Sequence, residues 1–181
     1  VVSLTSFGNV MTSSIASLGA GSLFLTLFFT MIASMILGMG LPSIPAYIIT
    51  ATMAAPALAE FDVPILVAHM FVFYFGIIAD ITPPVALAAF AASSISGGDP
   101  IKTGVYSAKL AIAAFIIPYI IVFSPAILMV DVTALQIIWI TITAVLGMIG
   151  IGAGVIGYWY RPLKWFERII LIAAGVAMIY P

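Results

Sequence analysis

Two short stretches hold the residue types that could bind a small charged solute, and each interrupts an apolar run. The first is 38–43, with the sequence GMGLPS, and the second is 79–84, with the sequence ADITPP. Main chain that is unwound at membrane depth is tolerated only where protein or water shelters it. Two such interruptions therefore predict a protected polar cavity, and paired broken helices are typical of the substrate and ion site of a secondary transporter.

Each stretch is expected to present a helix N-terminus to this cavity. Prolines such as Pro42 and Pro83 suit the first turn of a helix, where the missing N–H would have no partner. The free N–H groups of that turn carry partial positive charge and attract an anionic group. We therefore predict a substrate site lined by Gly40, Pro42, Ser43, Asp80 and Pro83.

The ends of the preceding half-helices supply groups of the opposite kind. Their last C=O groups have no intrahelical partner, and with the hydroxyls of Ser43 and Thr82 they are oxygen ligands suited to Na⁺. Gly38 and Gly40 permit positive φ and a close approach of the main chain. Hydroxyls, amides and carbonyls would therefore suffice for binding, without a cationic side chain.

Two ionisable residues fall inside the apolar segments. Asp80 is the one carboxylate predicted to lie deep in the membrane, where such a group is costly and functional by default, so it could bind Na⁺ or a proton. The alternative is that Asp80 caps the following half-helix, because Asp is a favoured N-cap. His69 could relay protons, but a hydrogen-bonded packing residue is the commoner meaning of such a histidine.

The composition indicates an integral membrane protein. Apolar residues make up 65% of the 181 residues, charged residues make up 6%, and the mean hydropathy is +1.35. A water-soluble globule of this composition would have too few polar residues to cover its surface. The absence of cysteine excludes disulfides and thiolate metal sites within the chain, and the net charge of −1 does not suggest a nucleic-acid partner.

The hydropathy pattern predicts an all-α fold in four parts. Residues 1–21 form the tail of a preceding element and a connection, 22–59 form a re-entrant helical hairpin, 63–96 form one broken transmembrane helix, and 105–181 form three further transmembrane helices. The last three are expected at 106–129, 132–158 and 163–180. Two full spans over 22–59 remain an alternative to the hairpin, because the number of crossings has the same parity in both cases.

The basic residues predict the orientation. Basic loops lie on the cytoplasmic side of a membrane, which places two groups there, Lys102 with Lys109 and Arg161 with Lys164 and Arg168. Asp131 would then lie outside. In this arrangement the tip of the hairpin at 38–43 approaches from the outer side and can meet the break at 79–83. Farther along, Gly150 and Gly154 have the GxxxG spacing that permits close helix contact, most commonly within one protein.

Several motifs resemble the large membrane subunit of tripartite ATP-independent periplasmic (TRAP) transporters. They are GMGLP at 38–42, PAYI at 45–48, VAHMFVFYFG at 67–76, TPPVALAAF at 82–90 and GDP at 98–100. Together they extend over nearly the whole chain, and the chain is most similar to the fused permeases that work with the TAXI type of binding protein. The resemblance implies the C-terminal portion of a larger permease, whose N-terminal inverted-repeat half is not part of this sequence.

The resemblance also implies an activity. In that family an elevator-like transport domain moves against a scaffold, Na⁺ drives the uptake of organic acids, and a periplasmic binding protein delivers the substrate. The expected partners are therefore a TAXI-type binding protein, the N-terminal half and the small membrane subunit. The expected location is the inner membrane of a bacterium or archaeon, the coupling ion Na⁺ takes the place of a cofactor, and no enzymatic activity is expected.

A Na⁺ site of the family maps onto Gly38, Ala79, Thr82 and Val85, mainly through backbone carbonyls. Two departures bear on this implied site. This chain has Pro42 where many relatives have Asp after the glycine turn, and it has Ala79 where they have Gly. Carbonyl ligation by Ala79 survives the change, whereas the substrate class and the coupling ion are less closely specified.

Two other functions fit parts of the sequence. A channel with re-entrant pore loops would use the same interruptions to line a pore. An intramembrane aspartyl protease is suggested by Asp80 and by the short motif Pro56-Ala57-Leu58. That chemistry needs two carboxylates sharing one site, and the apolar segments contain no second one.

Overall fold

A computed structural model of the chain describes residues 6–128 and 132–179. The regular structure in these ranges is helical, apart from one isolated bridge between Tyr158 and Pro162. The α-helices are α1 (Phe7–Gly19), α2 (Leu23–Gly38), α3 (Ser43–Met53), α4 (Pro56–Ala59), α5 (Ile65–Ile78), α6 (Leu87–Ser96), α7 (Pro100–Leu110), α8 (Ile112–Phe123), α9 (Ala134–Ile156) and α10 (Trp165–Ile179). Short 3₁₀ turns cover Ala79–Ile81 and Pro125–Leu128. The all-α prediction is confirmed for the described ranges.

The helices belong to two compact units, which divide between Ser107 and Ala108. The first unit contains α1 to α6 and the beginning of α7, and it holds both predicted interruptions. The second contains the end of α7 and α8 to α10. The predicted membrane arrangement of the four sequence parts stays a prediction.

In the first unit, α5 packs against α2 and α3. The buried face of α5 is apolar, and Phe71 and Phe75 are fully buried on it with their rings edge to face at 4.9 Å. Where lipid tails are the alternative surroundings, van der Waals packing of this kind is what stabilises the contact between helices. Helix α2, unlike the apolar buried face of α5, also buries polar side chains, those of Thr26, Thr30 and Ser34.

Helices α2 and α3 form a hairpin whose turn matches the glycine-proline stretch. α2 ends at Gly38, Gly40 has a φ of +75°, and α3 begins directly after Pro42. The second arm is shorter than predicted, because α3 ends at Met53 and α4 begins only at Pro56. Proline has no N–H to continue a helical ladder, so the second arm of the hairpin predicted over 22–59 is divided before Pro56.

The broken helix is interrupted for longer than predicted. α5 ends at Ile78 and the 3₁₀ turn follows, but α6 begins at Leu87 rather than at the prolines. Thr82 is extended with ψ of 127°, as expected for a residue that precedes proline. Ala86 has a left-handed φ of +42°, which delays the helix by a further residue.

Helices also form where the sequence predicted none. Residues 7–19 of the predicted tail form α1, which packs against α2, and a side chain at Gly19 would collide with Thr26. α7 starts at Pro100, earlier than the predicted 106, because the Asp99 carboxylate accepts a hydrogen bond of 2.8 Å from the Lys102 N–H. Residues 1–5 of that tail, Met129 and Asp131 lie outside the described ranges.

Within residues 6–128 and 132–179, two segments are long and apolar enough to cross a membrane, Pro100–Phe123 and Ala134–Ile156. The first consists of α7 and α8, which are separate helices on either side of Ala111, and α8 contains Pro118. The last predicted span corresponds to α10, whose fifteen residues extend only about 22 Å at 1.5 Å per residue. The third transmembrane helix therefore stays a prediction.

In the second unit, α9 and α10 pack closely through glycine. A methyl group at Gly154 would lie 2.7 Å from Ile172 and 2.9 Å from the Arg168 carbonyl, and one at Gly150 would lie 3.3 Å from the Leu171 carbonyl. The GxxxG spacing therefore serves packing within the chain. At the end of α9, the Arg168 guanidinium donates to the Gly154 and Val155 carbonyls at 2.8 and 2.7 Å.

Substituting Gly154 by Ala should therefore loosen the second unit. The added methyl group meets main chain as well as a side chain, so we expect a loss of about 1–3 kcal/mol of unfolding free energy. Gly152→Ala is the matched control, because a methyl group there meets nothing within 4 Å and helix propensity alone favours it by up to about 1 kcal/mol. Thermal unfolding in detergent measures both, and equal stability of the two variants would contradict the packing described.

Candidate functional site

The tip of the hairpin rests directly on the last turns of α5. A methyl group built on Gly38 would collide with the Gly76 carbonyl oxygen and would lie 2.9 Å from the Gly76 Cα. Both residues are buried. The main chains of α2 and α5 therefore touch at this point, which is possible only because Gly38 lacks a side chain.

The second arm of the hairpin closes on Gly76 from α3. A methyl group at Gly76 would lie 3.5 Å from the Thr50 side chain and 4.0 Å from the main chain of Ala46. Thr50 is fully buried, and its hydroxyl donates to the Ala46 carbonyl at 2.9 Å. Gly76 thus contacts both arms of the hairpin.

The interruption after α5 is held between the tip and α7. A methyl group at Gly40 would lie 3.8 Å from the Val85 side chain. On the α7 side, a methyl group at Gly104 would lie 3.2 Å from Pro83 and 3.3 Å from Ala86. The two predicted interruptions therefore lie side by side, as the sequence analysis expected.

Two carbonyl groups of the implied Na⁺ site, those of Gly38 and Ala79, accept only long hydrogen bonds. The Gly38 carbonyl accepts the Leu41 N–H at 3.3 Å, and the Ala79 carbonyl accepts the Thr82 N–H at 3.3 Å. These distances are at the long end of the range for such bonds. The Thr82 hydroxyl donates to the Ile78 carbonyl at 2.8 Å, which leaves the hydroxyl's lone pairs directed elsewhere.

Asp80 lies in the 3₁₀ turn and does not cap a helix. The residue that precedes α6 is Ala86, and no side chain caps that helix. The interpretation of Asp80 as an N-cap is therefore wrong. Its Oδ1 atom is buried and has no hydrogen-bond partner in the part of the chain that the structure describes. An unpaired carboxylate oxygen in a buried position is costly unless another group binds it.

The helices that follow the two interruptions begin without a side-chain cap. α3 begins after Pro42 and α6 after Ala86, and neither cap residue has a side-chain hydrogen bond to the helix. The first N–H groups of each helix are therefore available to an acceptor outside it. Gly40, Pro42 and Ser43 are exposed at the tip, so an anion can approach α3 there.

Two other features of the first unit involve polar side chains. The Tyr47 hydroxyl and the His69 Nδ1 are 3.0 Å apart, so His69 is a hydrogen-bonded packing residue. Thr30 and Ser34 are fully buried on α2, and their hydroxyl oxygens have no partner among the described residues. Thr26, one turn earlier on the same helix, donates to the Ser22 carbonyl at 3.0 Å.

Sequence reasoning assigned no role at the site to Gly76, Gly104 or Tyr47. Glycine in a helix interior costs up to about 1 kcal/mol relative to alanine, so Gly76 and Gly104 carried a detectable signal of close packing. Tyr47 carried no such signal, because its partner is far from it in the sequence.

A separate concave surface lies in the second unit. It is a groove of about 780 Å³ lined mainly by apolar residues of α9 and α10, among them Trp139, Ile140 and Met178. None of the predicted site residues lines it. The interruptions of the first unit are therefore the better candidate for a site that binds charged solutes.

The sequence model of one family matches residues 1–136, and its description is "Tripartite ATP-independent periplasmic transporter, DctM component". The chain belongs to this family. It is therefore a permease component of a TRAP transporter in a membrane, and the family works with a periplasmic substrate-binding protein and other membrane subunits. It is not an enzyme, so the aspartyl protease alternative is wrong. No curated protein and no solved structure matches the chain.

The contact between tip and interruption can be tested by cross-linking, because the chain has no cysteine of its own. Gly40→Cys with Val85→Cys should form a disulfide under mild oxidation, since a β-carbon at Gly40 lies 3.8 Å from the Val85 Cγ1 and a cysteine sulfur at position 85 can occupy the region of that Cγ1. The strain of a side chain at the left-handed position 40 is the same in this pair and in the control pair. Gel mobility after proteolysis between the two positions measures the bond.

The control pair is Gly40→Cys with Ile95→Cys. Ile95 is 90% exposed near the far end of α6, so this pair should remain reduced under the same conditions. Equal cross-linking of both pairs would contradict the arrangement of the site.

Proposed function

We propose that this chain is the C-terminal portion of a Na⁺-coupled permease that takes up organic acids delivered by a TAXI-type periplasmic binding protein. It would act in the inner membrane of a bacterium or archaeon, together with the N-terminal half and the small membrane subunit. Membership of the DctM family supports the permease assignment. We further propose that the coupling ion is Na⁺, that the substrates are organic acids and that the binding protein is of the TAXI type.

The observation that carries the proposal is the contact of the hairpin tip with the interruption of the broken helix. Gly38 lies on Gly76 and Gly40 lies near Val85, so two unwound stretches of main chain share one location. Unwound main chain brings together free N–H groups, which favour anions, and free C=O groups, which favour cations. A cation and an anion bound next to each other also stabilise one another, which is the basis of coupled uptake.

For the cation we propose the carbonyls of Gly38, Ala79 and Val85 with the Thr82 oxygen. The first two carbonyls make only long hydrogen bonds of 3.3 Å, so they have lone pairs available for a hard cation. Asp80 supplies the negative charge in this part of the unit, and its unpaired Oδ1 is in keeping with a role near a cation.

For the substrate carboxylate we propose the uncapped N-terminus of α3, lined by Gly40, Pro42 and Ser43, with Pro83 on the opposing stretch. Partial positive charge at a helix N-terminus attracts an anion without a basic side chain. The Asp80 carboxylate would repel the substrate carboxylate. We therefore propose that Asp80 contacts the cation or uncharged polar groups of the substrate.

The test is uptake of carboxylates by the intact permease with its binding protein in proteoliposomes under imposed ion gradients. Thr82→Ala should raise the Na⁺ concentration for half-maximal uptake about tenfold or more, because a polar contact to a charged group is worth about 1.5–3 kcal/mol. Asp80→Asn should lower uptake by at least a similar factor, because it removes the negative charge.

Thr52→Ala is the matched control. Thr52 is exposed on α3, its hydroxyl bonds to the Ile48 and Ile49 carbonyls, and its loss should leave the Na⁺ dependence unchanged. Equal uptake with and without Na⁺ and H⁺ gradients would refute coupled transport, and single-channel currents would indicate a pore. Unaltered Na⁺ dependence in Thr82→Ala would refute the site assignment while leaving the family intact.

A further inference from the structure

A directed polar contact outside the proposed ligand set joins the hairpin to the broken helix. The Tyr47 hydroxyl of α3 and the His69 Nδ1 of α5 are 3.0 Å apart. Their rings meet edge to face at 6.0 Å, and the Tyr47 ring also meets Phe73 edge to face at 5.5 Å. Both residues are half-buried. The pair therefore combines a hydrogen bond with close ring packing.

No charged side chain of the surrounding helices competes for this bond. Helices α2, α3, α4 and α5 contain no acidic or basic residue apart from His69 itself. An imidazole with its hydrogen on Nε2 accepts from the Tyr47 hydroxyl at Nδ1, and the other tautomer donates from Nδ1 to the Tyr47 oxygen. Either tautomer therefore joins α3 to α5 at this point.

The bond lies close to the hairpin tip along the chain. Tyr47 is one helical turn after Ser43, the first residue of α3, and next to Ala46, whose main chain approaches Gly76. The crossing also contains the Tyr47–Phe73 ring contact and close contacts of the small residues Gly38, Gly76 and Thr50. Van der Waals contacts of these kinds define the distance between helices less sharply than a hydrogen bond, which has a preferred distance and angle.

We propose that Tyr47 and His69 are positioning residues for the coupling-ion site. Their hydrogen bond fixes the register of α3 on α5, and it thereby holds the hairpin tip and its Gly38 carbonyl against the interruption. Neither ring binds the ion. The expected effect on Na⁺ rests on the proposed function. The position of the hairpin tip is measured separately, by cross-linking.

The first measurement is Na⁺-dependent uptake by the intact permease with its binding protein. Tyr47→Phe removes the hydroxyl and keeps the ring that packs on Phe73. The loss of one hydrogen bond should raise the half-saturating Na⁺ concentration about three- to tenfold, while the maximal rate at saturating Na⁺ stays within about twofold of the unsubstituted permease.

Variants of His69 separate positioning from a general loss of structure. His69→Leu removes the hydrogen-bond partner of Tyr47 and should match Tyr47→Phe, and the double variant should be no worse than either, because both remove the same bond. His69→Asn keeps a polar group that can accept or donate near the Nδ1 position and should restore most of the Na⁺ affinity. If the pair only stabilised the fold, the variants would instead lower the maximal rate and the yield of folded protein, and His69→Asn would not selectively restore the Na⁺ affinity.

The second measurement is the cross-linking rate of Gly40→Cys with Val85→Cys, which reports the tip position without transport. Adding Tyr47→Phe should slow the reaction about three- to tenfold. Tyr74→Phe is the control, because Tyr74 lies on α5 and the structure records no hydrogen bond of its hydroxyl within the described residues. It should change neither the cross-linking rate nor the Na⁺ dependence.

The outcomes separate the two proposals. If the unsubstituted permease transports without Na⁺, the proposed function fails, and the positioning role stands or falls with the cross-linking rate alone. If uptake depends on Na⁺ but Tyr47→Phe changes neither the half-saturating Na⁺ concentration nor the cross-linking rate, the positioning role is refuted and the proposed function survives.

Discussion

The arrangement of the first unit depends on one contact, that of the Gly38 main chain with the Gly76 main chain. Unwound backbone inside an apolar unit needs neighbouring protein around it, because its free N–H and C=O groups are costly when they face hydrocarbon. The contact provides that neighbour by bringing the turn after α2 to the interruption after α5. A side chain at Gly38 would push the two stretches apart and leave both without shelter, whereas a methyl group at Gly76 would only meet Thr50 at 3.5 Å.

The other elements of the unit can be understood as support for this contact. α3 closes on Gly76 through Thr50, and Gly104 lets α7 approach the interruption at Pro83. The buried face of α5 is apolar and aromatic, so its packing holds the helix in the unit without competing polar groups. Small residues thus bring the polar stretches together, and large apolar residues keep them there.

The sequence predicted the two interruptions, the hairpin turn and their proximity, because glycine and proline have strong local preferences that an apolar background makes conspicuous. It misplaced the start of α6, because Ala86 is left-handed, which an alanine rarely is and which the local pattern does not specify. Gly76 and Tyr47 were missed for a different reason. Their roles depend on partners in other helices, and periodicity within one segment carries no information about such partners.

A binding site made largely of peptide carbonyls differs in kind from one made of acids. Amide oxygens do not take up protons in the range of pH that cells experience, so acid cannot silence them by neutralising a ligand. If the contact at Gly38 gathers such oxygens around a cation, occupancy would follow ion concentration, and any sensitivity to acidity would come from side chains beside the carbonyls, such as Asp80 and His69, and not from the carbonyl ligands themselves.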